Sequence, residues 1–194
     1  MDNPNLSKLR EFVVEFSKLL SRTTEEAEVV SEGSRLLATL VKEDDWLPDE
    51  FSQPSPERYR QYLLHCDSAE RFSVVSFVWG PGQETPIHDH RTWGLIGMLR
   101  GAELGQHYQR AADGSLQPIG SPTRLEPGAV EHVSPSSGDI HRVTNAYADR
   151  VSVSIHVYGT NIGRWMRATY TVAGDEKAFI SGYSNDTCPN FWHA

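Results

Sequence analysis

Eight histidines lie along the chain: His65, His88, His90, His107, His132, His141, His156 and His193. A single histidine usually serves a surface or hydrogen-bonding role. His88 and His90, separated only by Asp89, are a different case. On an extended segment, residues i and i+2 project from one face. Two imidazoles on one face can share a metal ion at about 2.1 Å from each nitrogen. A second constellation is Ser154-Ile155-His156-Val157-Tyr158. On a strand, Ser154, His156 and Tyr158 share one face, and Ile155 and Val157 take the other. A serine, a histidine and a tyrosine in line can pass hydrogen bonds along the row. Such a row fixes the histidine tautomer and aims the tyrosine hydroxyl.

These groups need a scaffold. The chain has 194 residues, enough for one domain with a real hydrophobic core. We expect a single domain over residues 1–194. The first 45 residues read as helical. Leu6, Leu9, Phe12, Val13, Phe16, Leu19 and Leu20 recur at helical spacing, and Thr23 with Glu26 reads as a capping box for a second helix. That helix carries Val29, Val30, Leu36, Leu37, Leu40 and Val41, with Gly33 inside it.

Beyond Pro48, Pro54 and Pro56 the texture changes to short β-rich runs. These are residues 59–66, 72–79, 93–99, 103–110, 124–125, 132–133, 141–145, 151–158 and 169–172. Ala112-Asp113-Gly114 is a hairpin signal. Many short strands at this spacing imply a sandwich or closed barrel over residues 59–172. The fold class is therefore mainly β, with an N-terminal helical layer.

Composition narrows the function. A net charge of -8 gives no general attraction to nucleic acid or an anionic membrane surface. No apolar run is long enough to span a bilayer, and the first residues lack the apolar core of a signal peptide. Cys66 and Cys188 are the only cysteines and form no CxxC metal site. A reduced, cytoplasmic protein is the expectation.

Around His88 and His90, Gly82 stands six residues before and Gly101 eleven after. This resembles the first motif of the cupin superfamily, G-x5-H-x-H-x3-4-E-x6-G. The stretch from Pro135 through Gly138 and His141 to Asn145 resembles the second, with one extra residue between proline and glycine. The resemblance covers roughly residues 72–158. It implies a double-stranded β-helix (jelly-roll) barrel and adds His141 as a third ligand. The cupin glutamate would fall at Gly94 or Leu95, neither of which can ligate. Three neutral histidines then leave a divalent metal its full charge and three adjacent open positions. The sequence leaves Zn open alongside iron.

A three-histidine cupin with the Ser154-His156-Tyr158 row resembles the cysteine dioxygenase family. That resemblance implies Fe(II) (Fe2+), a small thiol substrate and O2, with the row beside the iron. Animal-type members carry a cysteine after the two histidines, crosslinked to the tyrosine. Here Gly94 stands near that place. Animal-type members also hold the substrate carboxylate with an arginine two residues after a tyrosine. By strand alternation, Gln61 shares a face with Tyr59 here, and Arg60 points away. A one-residue slip would bring Arg60 back.

This pattern is similar to the bacterial glutamine-type members, the 3-mercaptopropionate dioxygenases. There an arginine after the tyrosine strand is thought to bind the carboxylate. Arg164 and Arg167 are the candidates, and Arg167 is favoured. The implied activity is oxidation of a thiol-carboxylate to its sulfinate. Cysteine dioxygenase proper and a non-catalytic metal-binding cupin are the alternatives. Trp93 reads as pocket lining or core, and His107 and His132 as structural or surface residues. The ordered-looking stretch from Ser181 to Asn185 has no assigned role.

Overall fold

The structure is a computed structural model that describes residues 5–193. Residues 1–4 and 194, included in the expected single domain, lie outside the described residues. Helix α1 (Ser7–Arg22) buries Leu9, Phe12, Val13, Phe16 and Leu19 along one stripe, as their spacing demands. Helix α2 (Glu26–Leu40) buries Val29, Gly33, Leu37 and Leu40. Gly33 is there for closeness. A Cβ on it would sit 2.8 Å from Phe16 and 2.9 Å from Leu95.

The expected capping box does not form. Helix α2 starts at Glu26 itself, with Glu25 at its N-cap, so Thr23 lies too early to reach the helix amides. Thr23 Oγ1 accepts from the Glu25 amide instead, at 3.2 Å. The Glu26 carboxylate accepts from the hydroxyls of Ser134 and Ser136 across the molecule.

Twelve strands follow: β1 (Arg60–Cys66), β2 (Ser73–Trp79), β3 (Ile87–His88), β4 (Gly94–Arg100), β5 (Glu103–Arg110), β6 (Leu116–Pro118), β7 (Thr123–Leu125), β8 (Val130–Val133), β9 (His141–Asn145), β10 (Ser152–Tyr158), β11 (Arg167–Tyr170) and β12 (Glu176–Phe179). They form two antiparallel sheets. One has the order β1-β2-β10-β4-β8; the other runs β12-β11-β3-β9-β5-β6, with β7 beside β5. Strands β3, β6 and β12 were not expected from the sequence. Each is short, and none carries the alternating β-branched pattern that marks a strand locally.

The centre of the first sheet is buried on both faces. All seven residues of β2 and of β10 are inaccessible to solvent or nearly so. On the outer face Val74, Val78, Leu95, Leu99, Val153, Ile155 and Val157 join the helix residues in the main apolar core. On the inner face Val75, Phe77 and Trp79 pack with Tyr158, Val143 and Ile162. Each such fully buried aliphatic or aromatic side chain stabilises the fold by about 1.5–3 kcal/mol. Trp93 belongs to the helical side, its ring 5.9 Å from that of Phe16. Gly101 turns the chain from β4 to β5 with φ at +77°, where a side chain would be strained and would strike Ser152. The result is a mainly β cupin barrel with a helical layer on one side. No helix among the described residues is long and apolar enough to cross a membrane.

Candidate metal centre

His88 ends β3 and pairs directly across the sheet with His141, the first residue of β9. His90 lies two residues beyond His88, after the strand has ended. The ring centroids of the three histidines are 4.8–4.9 Å apart. One ring nitrogen from each lies within 4.8 Å of the others, and all three residues are buried. Among the described residues this is the one such group of three or more His, Cys, Asp or Glu side chains.

The sequence pattern places both ligands of the pair on an extended segment with their rings on one face, and strand β3 covers only the first of them. Other contacts aim His90. Asp139 accepts hydrogen bonds from the His90 and Arg91 backbone amides, at 3.0 and 2.8 Å. The same carboxylate is 2.8 Å from His90 Nδ1. With Nδ1 held there, Nε2 is left facing the other histidines, buried and without a hydrogen-bond partner. His88 Nδ1 is held by the Pro86 carbonyl at 3.0 Å. Such outer contacts fix ring orientation in metal sites.

Asp89, between the two histidines, points the other way. It accepts from the Ala168 amide at 2.7 Å and from the Tyr170 hydroxyl at 2.7 Å, tying the loop to β11. Arg91 follows in a left-handed conformation, φ 57°, anchored to Asp89 and Glu176.

Burial lowers the pKa of His88 to about 3, with His90 adding to the effect. Burial likewise holds His141 well below its usual range. Neutral rings keep the lone pairs that a cation needs. A buried, unpartnered His90 Nε2, neutral neighbours and an all-nitrogen donor set fit a borderline divalent metal. No carboxylate joins them. The cupin glutamate's place falls at Gly94 or Leu95, and a Cβ at Gly94 would meet the Tyr158 ring at 2.9 Å. Gly94 pairs directly with Tyr158 across β4 and β10. The two cysteines, Cys66 and Cys188, are free.

The polar row lies beside this centre. Tyr158 stacks on His90, with centroids 5.4 Å apart. Its hydroxyl is 2.8 Å from His156 Nδ1, and His156 Nε2 is 2.9 Å from Ser154 Oγ. All three residues are buried, so the row faces the barrel interior and not water. Phe77 stacks on His156 with ring centroids 4.0 Å apart. Burial pushes the Tyr158 hydroxyl's pKa up, which keeps the phenol neutral.

A family model described as cysteine dioxygenase type I matches residues 3–164. The chain belongs to that family. This cysteine dioxygenase family member is also similar to solved cupin structures. One is a cupin superfamily protein from Desulfitobacterium hafniense DCB-2, at 12% identity, TM-score 0.45, covering 61% of this chain and 94% of that one. Another is a conserved protein with a double-stranded β-helix domain from Klebsiella pneumoniae, at 20% identity, TM-score 0.43, covering 61% and 91%.

In this family member the register of β1 sets which of Gln61 and Arg60 faces inward. Gln61 pairs with Phe77, whose side chain is on the inner face. Arg60 pairs with Val78, whose side chain is in the outer core. A cavity of about 230 Å³ is lined by Tyr59, Gln61, His88 and Arg167, together with Phe77, Phe179, Thr85, Pro86, Thr169 and Lys177. Arg167 is 3% exposed, while Arg164 is exposed.

The stretch after β12 gains a place. Ser184 and Asn185 hydrogen-bond the backbone of Gln61 and Leu63, and Ser181 Oγ accepts from Arg167 at 2.7 Å. It straps the free edge of β1 and props both cavity residues. His107 is held by Glu131 at 2.8 Å, which raises its pKa, and its ring is 5.7 Å from that of His141. His132 is exposed.

Proposed function

We propose that the chain is an Fe(II) thiol dioxygenase whose substrate is a short thiol-carboxylate without an amine, 3-mercaptopropionate in preference to cysteine. His88, His90 and His141 would hold the iron. When bound, the iron supplies the redox chemistry that joins O2 to a thiolate sulfur. The thiol gives up the four electrons that O2 needs, and both oxygen atoms end in the sulfinate, so no further reductant is required.

The observation that carries the substrate reading is Arg167. It is a buried cation whose Nε has no hydrogen-bond partner, and among the described residues it forms no ion pair. Its Nη2 donates to Ser181, and its plane lies 4.7 Å over Phe179. An unpaired buried charge is costly. A substrate carboxylate would relieve that cost through a charge-assisted, two-toothed contact. Gln61, whose Oε1 is also buried and unpartnered, lines the same cavity.

The absence of an amine follows from what lines the space. Arg167 and Lys177 are there, and no aspartate or glutamate is. A cysteine ammonium would face two cations with no anion to hold it. Tyr59, stacked on Phe77 and tilted against Trp79, lines the same space. Tyr158, held by His156, presents its hydroxyl beside His90, where it can hydrogen-bond the reacting atoms.

The test is O2 uptake by the Fe(II)-loaded protein with 3-mercaptopropionate, cysteine and cysteamine, with sulfinate measured as product. One O2 consumed per sulfinate and the highest kcat/KM for 3-mercaptopropionate are expected. A higher kcat/KM for cysteine would reverse the substrate assignment. No uptake with any thiol would overturn the reaction.

A further inference from the structure

The hydrogen-bonded row does not end at Ser154. Glu103, on β5 and 2% exposed, places Oε2 3.0 Å from Ser154 Oγ. The Trp79 indole N–H donates to the same serine oxygen at 3.1 Å. The chain of contacts therefore runs from Glu103 through Ser154 and His156 to Tyr158. A serine hydroxyl has one hydrogen and two lone pairs, and an indole N–H can only donate. Trp79 thus takes one lone pair of Ser154. One hydrogen and one lone pair remain for Glu103 and His156. Burial holds the His156 pKa well below its usual range, so this ring carries one N–H and one bare nitrogen.

The Ser154 hydroxyl and the His156 ring can satisfy every contact in two arrangements. In the first, Glu103 is a carboxylate and accepts from Ser154. Ser154 must then accept from His156 Nε2–H. His156 Nδ1 is bare, and the Tyr158 O–H is spent on it. In the second, Glu103 is protonated and donates to Ser154. Ser154 donates to a bare Nε2, and His156 Nδ1–H donates to Tyr158. The Tyr158 hydrogen is then free to point at the metal centre.

Resting on the thiol dioxygenase reading of this site, we propose that Glu103 is a positioning residue. Whether it holds its proton sets the His156 tautomer, and through that whether the Tyr158 hydroxyl gives or receives a hydrogen bond in the metal pocket. Burial, aided by Glu131 and opposed by the Ser154 hydrogen bond, raises the Glu103 carboxyl to about 7, so both states are accessible near neutral pH. The groups facing it are mostly uncharged. Glu131 of β8 is paired with His107 of β5. Trp79 of β2 and Ser154 of β10 are uncharged. Asn145 of β9 and Leu125 of β7, which flank Glu103 in the sheet, are uncharged as well.

The experiment reads the tautomer directly and needs no turnover. In metal-free protein with 15N-labelled histidine, the two ring nitrogens of His156 are followed by long-range 1H–15N correlation from pH 5.5 to 8.5. A His156→Gln variant assigns the signals. The wild type is expected to pass from Nδ1–H at low pH to Nε2–H at high pH. Glu103→Gln, with no proton to lose, is expected to hold one tautomer throughout. Ser154→Ala, which keeps the carboxylate but cuts the chain, should also lose the switch. One unchanging tautomer in the wild type, or a switch with the same midpoint in Glu103→Gln, would overturn the proposal. A wild-type switch in a protein that oxidises no thiol would leave the tautomer coupling standing and sink the dioxygenase reading instead. The converse pair of results would do the reverse.

Discussion

The two faces of β10 share one backbone and follow different rules. Val153, Ile155 and Val157 look outward into the helix-covered core. Ser154, His156 and Tyr158 look inward, where every polar contact has a specific partner. The outer face is held by dispersion and the hydrophobic effect, which act without direction. There, size and apolarity matter more than identity. The inner face depends on donors meeting acceptors, and a lost partner leaves a buried group unsatisfied. The same alternation thus sets a tolerant surface and an intolerant one 180° apart. The helical layer is what makes this work. It removes the outer face from water, so the strand can be buried on both sides.

Substitutions on β10 can break that contrast. The largest effect is expected from Tyr158→Phe. Removing the hydroxyl should lower kcat/KM for the thiol by roughly 10²–10⁴-fold, the range for a positioned proton-bearing group. Chemical denaturation should show a smaller loss, about 1–3 kcal/mol, from the unpartnered His156 Nδ1. A variant with full turnover would place the inner face outside the chemistry. Next comes Ile155→Ala on the outer face. It should cost about 2–5 kcal/mol of stability while the folded protein keeps its iron stoichiometry and kcat/KM. A large kinetic defect with little destabilisation would erase the distinction between the faces. The smallest effect is expected at Gly33→Ala, in the layer that covers the outer face. The added methyl would press on the flexible ends of Phe16 and Leu95, against a gain in helix propensity of about 1 kcal/mol, for a net loss on the order of 1 kcal/mol. A rise in melting temperature would mean that the layer is looser than the outer core requires.

Much of this was legible locally. The helical stripe of α1, the row on β10 and the pair His88 and His90 are periodicities, and periodicity is a property of neighbours in sequence. Gln61 was readable for the same reason, because alternation from Tyr59 carries only two residues. What escaped is long-range. Asp139 reaches His90 across 49 positions, and Glu103 reaches Ser154 across 51. No spacing rule links such pairs before the sheets are assembled. The capping box failed because helix α2 starts at Glu26, beyond the reach of Thr23, and the Glu26 carboxylate bonds Ser134, far along the chain. The stretch from Ser181 to Asn185 gained meaning only when β1 became a sheet edge needing partners for its backbone. Asp89 is a middle case. It sits between the two histidines, and its projection to the opposite side could have suggested an anchor.

The account depends on three imidazoles converging on one iron. Fe(II) binding by His141→Ala, measured as metal per chain beside the wild type with folding checked by circular dichroism, tests this most directly. One iron per wild-type chain and almost none in the folded variant, with thiol oxidation lost alongside it, is the predicted result. A folded variant that retains stoichiometric iron and oxidises thiol at the wild-type rate would contradict it.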